Sequence, residues 1–176
     1  MEDYLKVLFI ILIMWFILYL ILEFNIINNK RKVVNNIFEE LDVLFIRRLN
    51  LLYKIIDVVK HFDKNQFDSF GSNLYDYINN YDKLSYNDRL ILNENLCMDI
   101  KKILLVSDVY PEINSIEKYK KYENQLIRFN KRINKLQKRY NKSVLVYMNR
   151  KKIFPSNLIC IICRFYPYNY FDLKNL

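Results

Sequence analysis

An uncharged apolar run from Val7 to Leu22 stands between Lys6 and Glu23, and the basic cluster Lys30, Arg31, Lys32 follows it. At a helical rise of about 1.5 Å per residue the run measures roughly 24 Å, a little short of a bilayer's hydrocarbon thickness of about 30 Å. Tyr4 and Leu5 on one side, and Phe24, Ile26 and Ile27 on the other, extend it. A membrane-spanning helix is therefore expected over residues 5–27, with residues 1–4 as a short external end. A cleaved secretory signal would finish at a small-residue site, but the chain has no alanine, and neither Gly nor Ser occurs between Glu23 and Asn36. Trp15, Phe16 and Tyr19 leave no polar face for water, so the run reads as a permanent anchor.

Flanking charge sets the expected orientation. One basic residue precedes the run and three follow it, which places the N-terminus outside and the rest of the chain in the cytoplasm, a single-pass protein of the cell membrane. Three cysteines, Cys97, Cys160 and Cys163, form no disulfide framework.

The remainder is long enough for one domain with its own core. Its single glycine and three prolines supply little turn chemistry for a β fold, and helical periodicity dominates. Ile37, Leu41, Leu44, Leu51, Ile55, Val58 and Phe62 alternate in steps of four and three, with Arg48 at a seam position. A cation there requires a partner, expected to be a carboxylate: Glu123, Asp108 or Glu94. A second helix carries Phe67, Phe70, Leu74, Ile78 and Tyr81 and ends near Asp82. Ser85 with Asp88 resembles a capping box for a third helix through Leu92, Leu96, Ile100 and Ile103, which Pro111 stops. Asn114 with Glu117 offers the next cap, opening a fourth helix with Tyr119, Leu126, Ile133, Tyr140 and Tyr147 on one face, running to about Phe154. The expected fold is all-α: a transmembrane helix, then an antiparallel up-and-down four-helix bundle over 28–154, then an apolar and aromatic tail over 155–176 packed on the bundle or the membrane surface.

Several ordered segments resemble the LemA family of bacterial single-pass membrane proteins. Arg139-Tyr140-Asn141, Tyr147, and Phe154-Pro155 with Asn157 look like that family's Tyr-Asn and Phe-Pro-x-Asn signature. Asp42 followed by Arg47-Arg48 is similar to its first-helix segment, and Tyr110-Pro111 to its Tyr-Pro turn. Tyr53, Asn50 and Met148 depart from the pattern without removing a helix. The resemblance implies a membrane-tethered helical bundle and supplies no catalytic residues.

Reaction chemistry is sparse. Cys160-x-x-Cys163 lacks the βαβ setting of a redox pair and the further ligands of a zinc site, so both thiols read as buried and structural. His61, the only histidine, has no placed nucleophile, and one glycine cannot build a phosphate loop. No catalytic, metal or cofactor-binding residue is assigned, and no cofactor is expected. Lys118 to Lys142 holds ten bases against Glu123 alone, yet no nucleic-acid motif accompanies them, and nucleic acid is not an expected partner. Lys142, Arg150, Lys151 and Lys152, with the aromatic tail after them, are candidates to meet an anionic lipid surface. The functional expectation is a non-enzymatic scaffold or recruitment platform at the cytoplasmic membrane face, acting through a protein partner or homo-oligomer. The alternatives are an accessory or regulatory subunit of a membrane enzyme such as a peptidase, and a lipid-surface binding or remodelling protein.

Overall fold

The computed structural model describes residues 1–62 and 64–173. Regular structure among them is entirely helical: α1 (Glu2–Val59), α2 (Lys64–Asn80), α3 (Tyr86–Leu104), the single turn α4 (Val106–Val109), α5 (Glu117–Lys151) and α6 (Ser156–Ile162), with 3-10 turns at Tyr81–Lys83 and Pro111–Ser115. The chain forms two compact units. One comprises Met1–Asn36 and Asn141–Tyr170, the other Ile37–Tyr140 with the segment from Phe171 onward.

The apolar run and the first seam helix are one uninterrupted helix, with no break at residue 28. Neither Gly nor Pro occurs between Glu2 and Val59, so nothing in the sequence interrupts the backbone ladder. Every residue from Met1 to Tyr19 is exposed, and the apolar stretch has a mean hydropathy of 2.8 with none of it buried. One helix is thus long and apolar enough to cross a membrane.

In the second unit Ile37, Leu41, Leu44, Leu51 and Ile55 of the expected α1 seam are buried, whereas Val58 and Phe62 are half-buried and Phe62 lies beyond the last residue of α1. Phe38, Phe45, Leu49, Leu52 and Ile56 widen the stripe, which is what a helix needs when several neighbours share it. Leu74 on α2, Ile100 on α3 and Leu126, Ile133 and Tyr140 on α5 are completely buried. The tail joins this unit at Phe171, whose ring meets Phe45 edge-on at 5.2 Å and whose carbonyl accepts from Gln137 Nε2 at 2.9 Å.

Helix boundaries follow local chemistry, with three corrections. Ser85 caps α3 as expected: its Oγ accepts from the Asp88 N–H at 3.3 Å and donates to Asp88 Oδ2 at 2.7 Å. Pro111 does not stop α3, which ends at Leu104; the proline instead opens the second 3-10 turn, where its missing N–H costs nothing. Asn114 lies inside that turn and does not cap α5. α5 ends at Lys151, before Phe154.

α6 finishes in a Schellman turn. Phe165 N donates to Cys160 O at 2.8 Å and Arg164 N to Ile161 O at 3.2 Å, with Arg164 left-handed at φ 51°. A side chain is disfavoured in that conformation and glycine is not. Arg164→Gly is expected to stabilise the turn by about 1 kcal/mol. Chemical denaturation would check this, and a lower midpoint in the variant would contradict it.

Candidate functional site

Each unit contains a buried polar cluster. In the second unit the cluster starts from Arg48, which the seam of α1 carries fully inside. Its Nη2 donates to Asn93 Oδ1 at 2.7 Å and to the Asn93 carbonyl at 3.1 Å. The partner is therefore a neutral amide on α3, not one of the three expected carboxylates. Glu94 is turned instead to the Asp172 N–H at 2.7 Å. Arg48 falls on α1 where α3 presents Asn93 at a core position between Leu92 and Leu96, and a carboxylate one residue along points elsewhere. Two further nitrogens, Nε and Nη1, are buried with no hydrogen-bond partner. Burial in these surroundings pushes the guanidinium down to about 10, opposed by Cys97 and Tyr81 close by. Burial also pushes the Cys97 thiol up, and Arg48 pulls it back.

Six residues earlier on α1, Asp42 collects the second half of this cluster. Its Oδ1 accepts from the Tyr81 hydroxyl at 2.7 Å and its Oδ2 from Arg89 Nη1 at 2.6 Å. Arg89 also bonds the carbonyls of Leu84 and Asp82 and stacks its guanidinium over the Tyr81 ring at 4.9 Å. Asn93 Nδ2 closes the chain on the Arg89 carbonyl at 2.8 Å. Burial, and then the bond to Asp42, hold the Tyr81 phenol well above its ordinary range. The network ties α1, the turn after α2, and α3 together. Apart from Arg48 Nε and Nη1, the side-chain polar atoms of Asp42, Tyr81, Arg89, Asn93 and Arg48 are bonded within it or to neighbouring carbonyls.

The first unit is organised around Glu23, the residue that ends the apolar run and is only 3% exposed. Its Oε1 accepts from Arg150 Nη2 and its Oε2 from the Ser156 hydroxyl at 3.0 Å. Ser156 is the first residue of α6, directly after the cis Phe154-Pro155 bond. Around this pair, Arg31 lies over the Phe165 ring at 4.4 Å, Lys151 Nζ donates to the Phe165 carbonyl at 2.7 Å, and the Tyr168 hydroxyl donates to Asn35. Tyr147 donates to the Tyr166 carbonyl at 3.1 Å, and burial pushes its phenol up to about 12. A phenol harder to ionise when folded stabilises the folded state fully below its ordinary value of 10.0, and that contribution disappears as pH rises toward about 12. This unit is expected to lose stability over that alkaline interval, and Tyr147→Phe to flatten the loss; identical pH slopes in both proteins would refute the assignment.

The residues singled out in the sequence divide between the units. Asp42, Arg48 and Tyr140 belong to the second, where Tyr140 is buried and accepts from the Tyr86 hydroxyl at 2.9 Å. Arg47 is exposed, Pro111 is exposed, and Tyr110 packs near Phe62 with ring centroids 6.0 Å apart. Tyr147, Phe154, Pro155 and Asn157 belong to the first unit; Pro155 is buried, Phe154 exposed, Asn141 half-buried, and Asn157 Oδ1 accepts from the Leu158 N–H at 2.8 Å. Of the basic residues expected at a lipid surface, Lys142 and Lys152 are exposed, while Arg150 and Lys151 are bonded within the unit. Cys160 is buried but Cys163 is exposed, because it follows the last turn of α6; the expectation of two buried thiols holds for one. Glu23, Asn93, Arg89 and Ser156 were not identified from sequence. The signal for Glu23 was there: it is the one acid between the apolar run and the basic cluster.

No curated protein and no solved structure matches the chain. The family model of LemA matches residues 37–176, which takes in α2 through α6, the half-buried Asp42 and the buried Arg48 and Tyr140, and on that match the chain belongs to the LemA family.

Proposed function

We propose that this chain is a membrane-anchored, non-enzymatic helical-bundle protein that organises or recruits other proteins at the cytoplasmic face of the membrane. The observation that carries the reading is α1: a continuous helix that is wholly exposed and apolar from Val7 to Tyr19 and whose later turns carry a buried seam. Such a helix carries an apolar run and a core-forming seam on one continuous backbone. The basic cluster Lys30, Arg31, Lys32 favours the inside for that domain.

The domain is an antiparallel up-and-down four-helix bundle of α1, α2, α3 and α5. Contacts within the second unit support this order. Between α1 and α2, Tyr53 faces Tyr75 and Ile56 faces Gly71, numbers running oppositely. Between α1 and α3, Phe38 stacks on Tyr86, Asp42 pairs with Arg89 and Arg48 with Asn93, numbers rising together. Between α3 and α5, Tyr86 meets Tyr140 and the Ile103 carbonyl lies 3.5 Å from the Tyr119 hydroxyl, running oppositely again.

Crosslinking in intact cells, followed by detergent solubilisation and mass spectrometry, tests the reading. Crosslinks to itself or to several structural proteins are expected. One catalytic protein recovered in fixed ratio would replace the scaffold with an accessory subunit of a membrane enzyme.

A further inference from the structure

We propose that α6 and the residues leading into it are a second, shallow membrane contact, which docks into the headgroup and upper acyl region of an anionic phospholipid leaflet. The inference rests on the reading of Val7–Leu22 as a bilayer span and goes beyond it.

Depth comes first. Glu23 immediately follows the apolar run, and its carboxylate holds both Ser156, the first residue of α6, and Arg150. α6 thus begins beside the last apolar turn of α1. With Leu22 at the hydrocarbon boundary, α6 lies in the interface and not in bulk water.

The surface chemistry agrees with that depth. α6 carries no charge, and it is apolar on two opposite faces. Ile159 and Cys160 are buried against the unit, whereas Leu158, Ile161 and Ile162 are 47%, 73% and 80% exposed. Ile153 and Phe154, just before Pro155, are exposed as well, at 50% and 58%. Five large exposed apolar side chains in and just before a seven-residue helix exceed the scattered singles of a water-facing surface.

Charge selects the occupant. Residues 141–170 contain five bases and no acid. Arg150 is matched by Glu23 and Lys151 caps the Phe165 carbonyl, but Lys152 on one side of α6 and Arg164 on the other are exposed. Tyr166 follows at 76% exposure. An apolar face bracketed by exposed cations and an aromatic is the pattern that an anionic leaflet recognises. The left-handed Arg164 ends α6 with this cation at its rim.

Two native probes separate this inference from the anchoring on which it rests. Trp15, the only tryptophan, lies inside the run, and Cys163 is exposed just after α6 while Cys97 and Cys160 are buried. The full chain, labelled with bimane at Cys163, would be reconstituted into phosphatidylcholine–phosphatidylglycerol vesicles containing brominated lipids. Trp15 should be quenched most by bromines deep in the chains, and the bimane by bromines near the glycerol. Ile161→Asp with Ile162→Asp, both at exposed positions, should lower bimane quenching severalfold and leave Trp15 unchanged. Quenching of Trp15 with none at Cys163 would overturn the α6 contact and keep the anchor. No quenching at Trp15 would overturn both. Shielding of the bimane from aqueous iodide without lipid quenching would assign the face to a second copy or another protein. Equal bimane quenching in pure phosphatidylcholine would overturn the requirement for anionic lipid.

Discussion

Asn93→Leu is expected to destabilise the protein by about 3–5 kcal/mol, because it takes the side-chain acceptor from a cation that has nowhere to go. Arg48 is completely buried, two of its nitrogens already lack partners, and Asn93 receives the third through Oδ1 and the main-chain carbonyl. The leucine would leave only the carbonyl, which helix geometry already engages. Arg48→Met should behave differently. It removes the group whose burial is costly, as its guanidinium pushed down to about 10 testifies, and it orphans only a neutral amide oxygen. The expected change is within about 2 kcal/mol of wild type, in either direction, since one buried polar acceptor costs about 1–3 kcal/mol and relief of the desolvated charge offsets it. The double variant should recover most of the loss of Asn93→Leu. The Arg48 cost is fully present below about pH 10 and falls as pH rises through that value, so Asn93→Leu should be least harmful in strong alkali. Denaturant titration of the four proteins forms the cycle. An Asn93→Leu midpoint close to wild type would show that Arg48 finds solvent.

The second large effect belongs to Glu23. Its removal in Glu23→Leu leaves the Arg150 guanidinium, whose Nε is already buried and unpartnered, facing an apolar side chain, and it strips the acceptor from the buried Ser156 hydroxyl. A loss of about 3–5 kcal/mol is expected, confined to the first unit. Glu23→Gln keeps the shape and one acceptor oxygen and should lose roughly half as much. Hydrogen exchange read by mass spectrometry gives the local answer. Peptides covering Ser156–Ile162 should exchange faster in Glu23→Leu, while Ile37–Tyr140 stays protected. Unchanged exchange across α6 would mean that Phe165 and its neighbours, not Glu23, hold α6 in place. Because α6 carries the proposed lipid-facing side chains, the same variant would also weaken that contact.

Much of the architecture was legible in the residues. A 3.6-residue period needs only local side-chain order, so the seams of α1, α3 and α5 could be marked before any contact was known, and Ser85 with Asp88 marked a helix start by a bond that spans three residues. Proline was less informative: Pro111 signals that a helix cannot pass through it, but not that α3 ends at Leu104, seven residues sooner. The cysteine pair misled by half, because burial of Cys163 depends on where α6 ends and not on its apolar neighbours.

The sequence by itself determined that this chain is helical, that one helix is long and apolar enough to cross a membrane, and that a cation at position 48 faces inward. Each of these follows from composition and spacing along a single segment. Only the tertiary structure decided what each inward group meets. Asn93 and not Glu94 receives Arg48, and Glu23 binds Arg150 and Ser156 from more than a hundred residues away. Such partners are set by the rotation of one helix against another, and a turn of one residue, about 100°, exchanges an amide for a carboxylate. Periodicity fixes the face that a helix buries; the neighbour across that face is a property of the packed fold.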